Sequence, residues 1–111
     1  MKGKHDVYVF QADDGAFKVR PGVSFARATG ANAVVSFRNL TGFPISLTFD
    51  IGLMLEPNPQ PIGTNPPNDT ATFHIDPNAD GFYGYQVKVD DGTGNLKMAS
   101  GESDPGMIID Q

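Results

Sequence analysis

The chain has 111 residues, of which 39% are hydrophobic and 19% are charged, a composition typical of one globular domain, which we expect to span residues 1–111. It contains no cysteine, which excludes disulfide scaffolds, thiolate catalysis and metal centres that need a thiolate ligand. Thirteen acidic and eight basic residues give a formal net charge of −5, so nucleic acid is not an expected partner.

Predicted strands follow one another along nearly the whole chain, because no window keeps the three- and four-residue apolar spacing of a helix. Segments rich in β-branched and aromatic residues predict strands at Val7–Gln11, Phe17–Arg20, Val23–Ala26, Ala33–Asn39, Ile45–Asp50, Thr70–Asp76, Phe82–Val89, Leu96–Ala99 and Met107–Asp110. Turn residues separate them at 13–15, 20–22, 79–81 and 91–94. This pattern predicts an all-β, two-sheet sandwich with Greek-key connections.

Charge is uneven along the chain, since basic residues predominate in residues 1–38 and acidic residues predominate afterwards. Strands from the two halves of a sandwich are expected to interleave, so this asymmetry predicts a charged face only weakly. The residues after Met1 lack the apolar core of a signal peptide, which favours the cytoplasm, with the periplasm as the alternative if a leader precedes this sequence. No segment has the length and hydrophobicity of a membrane span, so no membrane partner is expected.

The stretch from Glu56 to Asn68 departs from the strand pattern because it holds five prolines. Proline has no N–H to donate to a central ladder, so the stretch is expected to be a loop or a sheet edge. One interpretation is a stiff crossover between the sheets, and the other is a polyproline-II ligand for an aromatic groove. Pro57, Pro59 and Pro61 are its candidate binding residues.

Two segments carry a detailed resemblance to one family. Residues 35–50 read VSFRNLTGFPISLTFD, and residues 81–87 read GFYGYQV. They resemble the cupredoxins of the plastocyanin and azurin type, in which a V-x-F-x-N strand leads through G-F-P-H into a strand ending F-D, and a G-x-Y-x-F-Y-C strand carries the copper cysteine. The resemblance implies a cupredoxin-like sandwich, with an immunoglobulin-like sandwich as the alternative.

The same resemblance assigns the place of the first copper histidine to Ile45 and the place of the copper cysteine to Val87. A type 1 copper site needs two imidazoles and a thiolate, whereas the chain has only His5 and His74 and no cysteine. The resemblance therefore implies the fold of the family without its electron transfer, and we expect no cofactor. Hydrocarbon side chains would fill the ligand positions.

The segment from Asp76 to Gly81 matches the opening of a calcium-binding loop, with Asp76, Asn78 and Asp80 as the oxygen ligands. The closing glutamate of such a loop is replaced by Val87, and Asp, Asn, Pro and Gly are also ordinary turn residues. A β-sandwich that binds calcium or another hard cation is the alternative function.

Residues 99–106 form a second candidate binding loop, with Glu102 and Asp104 as its acidic side chains. His74 is a candidate general base, but no nucleophile motif accompanies it, so we expect no enzymatic activity. The leading prediction is a non-enzymatic, copper-free, cupredoxin-like domain that binds another protein through its loops.

Overall fold

The computed structural model describes residues 4–28, 33–99 and 105–110, without the side chains of Lys4 and His5. These residues form ten strands: β1 (Lys4–Gln11), β2 (Phe17–Arg20), β3 (Val23–Arg27), β4 (Val34–Asn39), β5 (Ile45–Phe49), β6 (Gln60–Ile62), β7 (Thr70–His74), β8 (Gly81–Val89), β9 (Lys97–Ala99) and β10 (Gly106–Asp110). Among them there is no helix long and apolar enough to cross a membrane.

The strands form two mixed sheets. The first sheet has the order β2-β1-β4-β7, with β1 parallel to β4 and the other neighbours antiparallel. The second has the order β3-β10-β8-β5-β6, and β9 pairs with β8 along the same edge as β10. Since β2 and β3 are consecutive but lie in different sheets, the chain changes sheet at Pro21 and Gly22.

The core lies between the sheets and is built by alternate residues of the strands. Along β5, Ile45, Leu47 and Phe49 are buried while the residues between them are partly exposed, as the alternation in the sequence predicts. Neighbouring rings meet with centroids 5.2–5.9 Å apart, at tilted or edge-to-face angles that aromatic pairs favour. The four rings of this cluster are those of Phe37, Phe49, Phe73 and Tyr85.

All the strands predicted from the sequence are present, with ends shifted by at most three residues. The sequence does not predict β6 as a strand, but it does predict that the proline-rich stretch is a loop or an edge. In the structure β6 is the edge of the second sheet, and Pro61 lies opposite Ser46 of β5. An edge position is where a residue without an N–H is tolerated.

The strands of the basic N-terminal region interleave only in part with the rest of the sandwich. β1, β2 and β4 lie side by side in the first sheet next to β7, whereas β3 lies in the second sheet beside β10. Arg20 of β2 and Arg38 of β4 are therefore close in space, while Arg27 of β3 lies in the other sheet.

Candidate functional site

The two positions that the resemblance assigns to copper ligands lie on neighbouring strands. Ile45 begins β5 and Val87 lies in β8, where the register pairs Ile45 with Val89 and Leu47 with Val87. Ile45 and Val87 therefore share the inward face as diagonal neighbours. Their exposed fractions are 3% and 0%, so both side chains belong to the core.

A buried polar cluster fixes the turn that leads into β5. The side-chain amide of Asn39 donates to the carbonyl oxygens of Phe43 (2.7 Å) and Gly63 (2.9 Å). Its Oδ1 accepts from the backbone N–H of Thr41 (3.0 Å) and from the Thr41 hydroxyl (2.6 Å). Because Asn39 and Thr41 are buried, these bonds are needed to satisfy their polar atoms, and they position the start of β5 without any metal ligand.

After Val87 the chain continues as a paired strand into a hairpin. Val87 lies opposite Ala99 of β9, and the turn between β8 and β9 is held by Asp91. The carboxylate of Asp91 accepts a hydrogen bond from the hydroxyl of Thr93 (2.7 Å), and this bond lowers the pKa of the carboxyl below its ordinary value. Lys97 Nζ lies 3.9 Å from the same carboxylate. Two paired strands and a short turn thus occupy the region that follows the position of the copper cysteine.

The residues present do not fit type 1 copper. Of the two histidines, His74 lies on the outward face of β7, and the side chain of His5 is outside the described atoms. The described part of the chain contains no group of three or more His, Cys, Asp or Glu residues that could hold a metal ion. Both assigned ligand positions hold aliphatic side chains, those of Ile45 and Val87, which pack in the core.

The residues of the calcium hypothesis lie in the turn between β7 and β8. Oδ1 of Asp76 accepts the backbone N–H of Asn78 (2.9 Å), which is an ordinary turn hydrogen bond. The backbone N–H of Asp80 donates to the hydroxyl of Tyr83 (3.0 Å). The structure places Asp76, Asn78 and Asp80 in one turn, and cation binding by them stays a prediction.

The proline-rich segment, residues 55–61, is exposed along most of its length. Pro57, Pro59 and Pro61 are exposed, and Leu55 before them is 60% exposed. The segment leads from β5 of the second sheet towards β7 of the first, so it belongs to a crossover between the sheets, which is one of the two interpretations of the sequence.

Hydrogen bonds tie this segment to both sheets. The side chain of Asn58 donates to the carbonyl of Phe49 (2.7 Å) and accepts its N–H (2.9 Å), as a neighbouring strand would. The carboxylate of Glu56 accepts the backbone N–H of His74 (2.9 Å) and lies 2.7 Å from its Nδ1. Burial raises the pKa of Glu56, but the hydrogen bonds from His74 outweigh burial and hold that pKa below its ordinary value.

The second candidate loop is only partly described, because Glu102 and Asp104 lie outside the described residues. Beside its ends is an open groove of about 420 Å³ on the outer face of the second sheet. The groove contains the carboxylate of Asp50, which accepts a hydrogen bond from the backbone N–H of Gly84 (2.8 Å). The groove is lined by Thr48, Asp50, Gly84, Tyr85, Gln86, Met98, Ala99 and Pro105.

The sequence singles out the prolines as candidate binding residues but assigns no role to Leu55, Glu56 or Asn58. An asparagine between two prolines resembles any other loop residue, and its role depends on the unpaired backbone of Phe49. Likewise, the role of Glu56 in attaching the segment to the first sheet is evident only from the structure, in which β7 places His74 beside it.

No family profile and no curated protein matches the sequence. Solved structures do match. A purple cupredoxin from Nitrosopumilus maritimus aligns with a TM-score of 0.55 and 10% identity over 96% of this chain and 99% of its own. Oxidized plastocyanin from Dryopteris crassirhizoma gives a TM-score of 0.57 and 13% identity over 95% of this chain and 99% of its own. A mutant fern plastocyanin gives a TM-score of 0.56, also at 13% identity, over the same shares of the two chains.

At identities this low, the structural matches establish the architecture and leave activity open. Of the two sandwich types considered from the sequence, they favour the cupredoxin-like one, which residues 35–50 and 81–87 imply, over the immunoglobulin-like one. The chain has the cupredoxin fold, with Ile45 and Val87 in the core positions that the resemblance assigns to copper ligands.

Proposed function

We propose that this domain is a non-enzymatic module that binds another protein through its proline-rich surface, formed by the exposed side chains of Leu55, Pro57, Pro59 and Pro61. The observation that carries the proposal is that apolar side chains are exposed on a backbone fixed to both sheets. Burial of apolar surface is the main favourable term in most protein–protein association.

The attachment to the first sheet comes before the prolines. Met54 and Ile75 form an isolated bridge, and the N–H of Leu55 donates to the carbonyl of His74 (2.9 Å). The Glu56 carboxylate then accepts the N–H of His74. The backbone around Leu55 is therefore paired with the end of β7, while the Leu55 side chain is exposed.

The attachment to the second sheet follows at once. Asn58 pairs with the backbone of Phe49, the side chain of Gln60 donates to the carbonyl of Pro57, and β6 pairs with β5. A segment held in this way loses little conformational freedom when a partner binds, so more of the contact energy appears as affinity. Proline adds to this effect because its φ is already restricted.

A protein-capture experiment with a matched surface control tests the proposal. We expect the immobilised intact chain to retain specific partners from a source lysate, and the double variant Leu55→Ser, Pro57→Ser to lose at least about tenfold of that recovery, as loss of a central apolar contact implies. The control is the double variant Leu40→Ser, Leu96→Ser, which alters side chains that are 50% and 58% exposed in other loops.

Both variants should melt within a few degrees of the parent, because all four changes are at exposed positions and the loss of Pro57 costs at most about 1 kcal/mol. Equal recovery of partners by the parent and the Leu55, Pro57 variant would show that the proline-rich surface is not the binding site. Equal losses in both double variants would contradict the proposal in the same way.

A further inference from the structure

The outer face of the first sheet carries a basic and aromatic patch. The register places Tyr8 of β1 opposite Arg20 of β2 on one side and Arg38 of β4 on the other. In the next outward row, Phe10 lies opposite Lys18. We call these five residues the basic patch.

The cations of the patch are accessible and partly ordered. The side chain of Arg38 is 54% exposed, Arg20 is exposed, and Tyr8 between them is 38% exposed. Neighbouring strands are about 4.8 Å apart, so the arginine backbones lie roughly 10 Å from each other across Tyr8. The guanidinium carbon of Arg20 lies 5.4 Å from the centroid of the Phe10 ring, which favours one orientation of the arginine.

Acidic side chains border the patch without pairing all of its cations: Asp69 and Asp6 lie beside the arginine row, and Asp13 and Asp14 lie in the turn between β1 and β2, beyond Lys18. Asp69 Oδ2 is 3.9 Å from Nε of Arg38, a distance that leaves the far end of the guanidinium free for another ligand. Asp6 is exposed on β1, in the row beyond Tyr8. Within the described part of the chain, neither Arg20 nor Lys18 takes part in an ion pair.

This patch contrasts with the molecule as a whole, whose formal net charge is −5. The overall charge repels a long polyanion, because such a partner would extend beyond three cations into acidic surroundings. A short run of carboxylates would instead stay within the patch. Arginine side chains match the planar geometry of carboxylates, and a phenol between them can donate one more hydrogen bond.

We propose that the basic patch binds a short acidic segment of a partner protein. The patch lies on the outer face of β1, β2 and β4, whereas the proline-rich surface adjoins β6 and the end of β7 at His74, and the two share no residue. The two surfaces are independent, so loss of one leaves the other proposal standing.

The test uses the full chain and a fluorescent hexaglutamate peptide, with a hexaglutamine peptide of the same length as the control probe. The intact chain binds hexaglutamate at low ionic strength, binds hexaglutamine at least about tenfold more weakly, and releases hexaglutamate as salt is raised. The double variant Arg20→Gln, Arg38→Gln weakens hexaglutamate binding at least about tenfold, as loss of charge-assisted hydrogen bonds implies.

Two further variants keep the proposal falsifiable. Arg20→Gln alone leaves the Arg38–Asp69 contact intact, so it retains the fold and weakens binding by a smaller factor. Arg27→Gln, Lys88→Gln removes the same number of charges from the second sheet and leaves hexaglutamate binding unchanged.

Absence of hexaglutamate binding by the intact chain would overturn the proposal. So would equal weakening by the Arg20, Arg38 variant and the Arg27, Lys88 variant, which would indicate an effect of net charge alone. Tighter binding of single-stranded oligothymidylate than of hexaglutamate at the same salt concentration would overturn the assignment of a protein partner.

Discussion

At the scale of single residues, Ile45 and Val87 explain how the core closes without a metal. A buried imidazole needs a ligand or hydrogen-bond partner, and leaving it without one costs about 1–3 kcal/mol. Isoleucine and valine make no such demand and gain from burial instead. The hydrogen bonds of Asn39 hold the turn before Ile45 in place without a metal ligand.

Tyr85 is a residue that this packing leaves incompletely satisfied. It is 3% exposed within the aromatic cluster, and among the described atoms its hydroxyl has no hydrogen-bond partner. Burial raises the pKa of this phenol well above its ordinary value. A buried hydroxyl without a partner costs free energy, so this hydroxyl opposes folding.

Replacing Tyr85 with phenylalanine should stabilise the domain by about 1 kcal/mol, since the change removes an unpaired buried polar group and keeps the ring. Urea unfolding at neutral pH measures the effect, with Tyr8→Phe at an exposed position as the control. Because the folded pKa is raised, stability of the parent should fall once the pH exceeds the ordinary tyrosine value of about 10. Tyr85→Phe should reduce that alkaline loss. Destabilisation of the variant at neutral pH would contradict this account of the hydroxyl.

At the scale of elements, the proline-rich segment shows how a connection can complete two sheet edges. β6 pairs with the first residues of β5, and the Asn58 side chain satisfies the backbone of Phe49 beyond the end of that pairing. Glu56 performs the same role for the N–H of His74 at the end of β7. A short connection thus satisfies edge groups of both sheets and limits pairing with other chains there.

The attachment of this segment to β7 should weaken in acid. The lowered pKa of Glu56 means that its contribution is present above the ordinary glutamate pKa and is lost as the pH falls through the lowered value. Amide exchange protection at Leu55 and His74 should therefore decrease in that range, while protection of Val87 in the core stays constant. Glu56→Gln should show reduced protection at Leu55 and His74 already at neutral pH. Unchanged protection at both amides in acid would contradict the role of this carboxylate.

Phe82 illustrates an exposed aromatic residue with a structural explanation. It is 63% exposed on β8, next to Gly106 of β10. A Cβ placed on Gly106 would lie 2.4 Å from Cζ of Phe82, so the ring occupies the space that the glycine leaves open. The ring covers a backbone position that has no side chain of its own, as an aromatic neighbour of a glycine does in other sheets.

The sequence predicts the elements well where the local pattern decides them. Alternation along Ile45–Phe49 fixes which face is buried, and Gly92 and Gly94, with φ of 86° and 89°, mark a turn that only glycine readily forms. β6 escapes prediction because its three residues, Gln60–Ile62, are too few for a periodic signal and are ordered by β5. The row of Arg20, Tyr8 and Arg38 escapes it because three strands create that row through their register.

At the scale of the whole molecule, this chain has the cupredoxin fold without the residues of a type 1 copper site. Two mixed sheets enclose a core in which Ile45 and Val87 pack as ordinary aliphatic residues. The surface then offers an apolar segment beside the second sheet and a basic patch on the first. Function on this scaffold is therefore expected at its exposed faces.

Copper titration of the purified chain tests the central claim most directly, with bound metal per chain, the visible absorption spectrum and the melting temperature measured together. A ligand that binds only the folded chain must raise its stability. Because the account predicts no copper site, copper should leave the melting temperature unchanged, and no intense charge-transfer band should appear. One copper ion bound per chain, with an intense visible absorption band and a rise in melting temperature, would contradict the account.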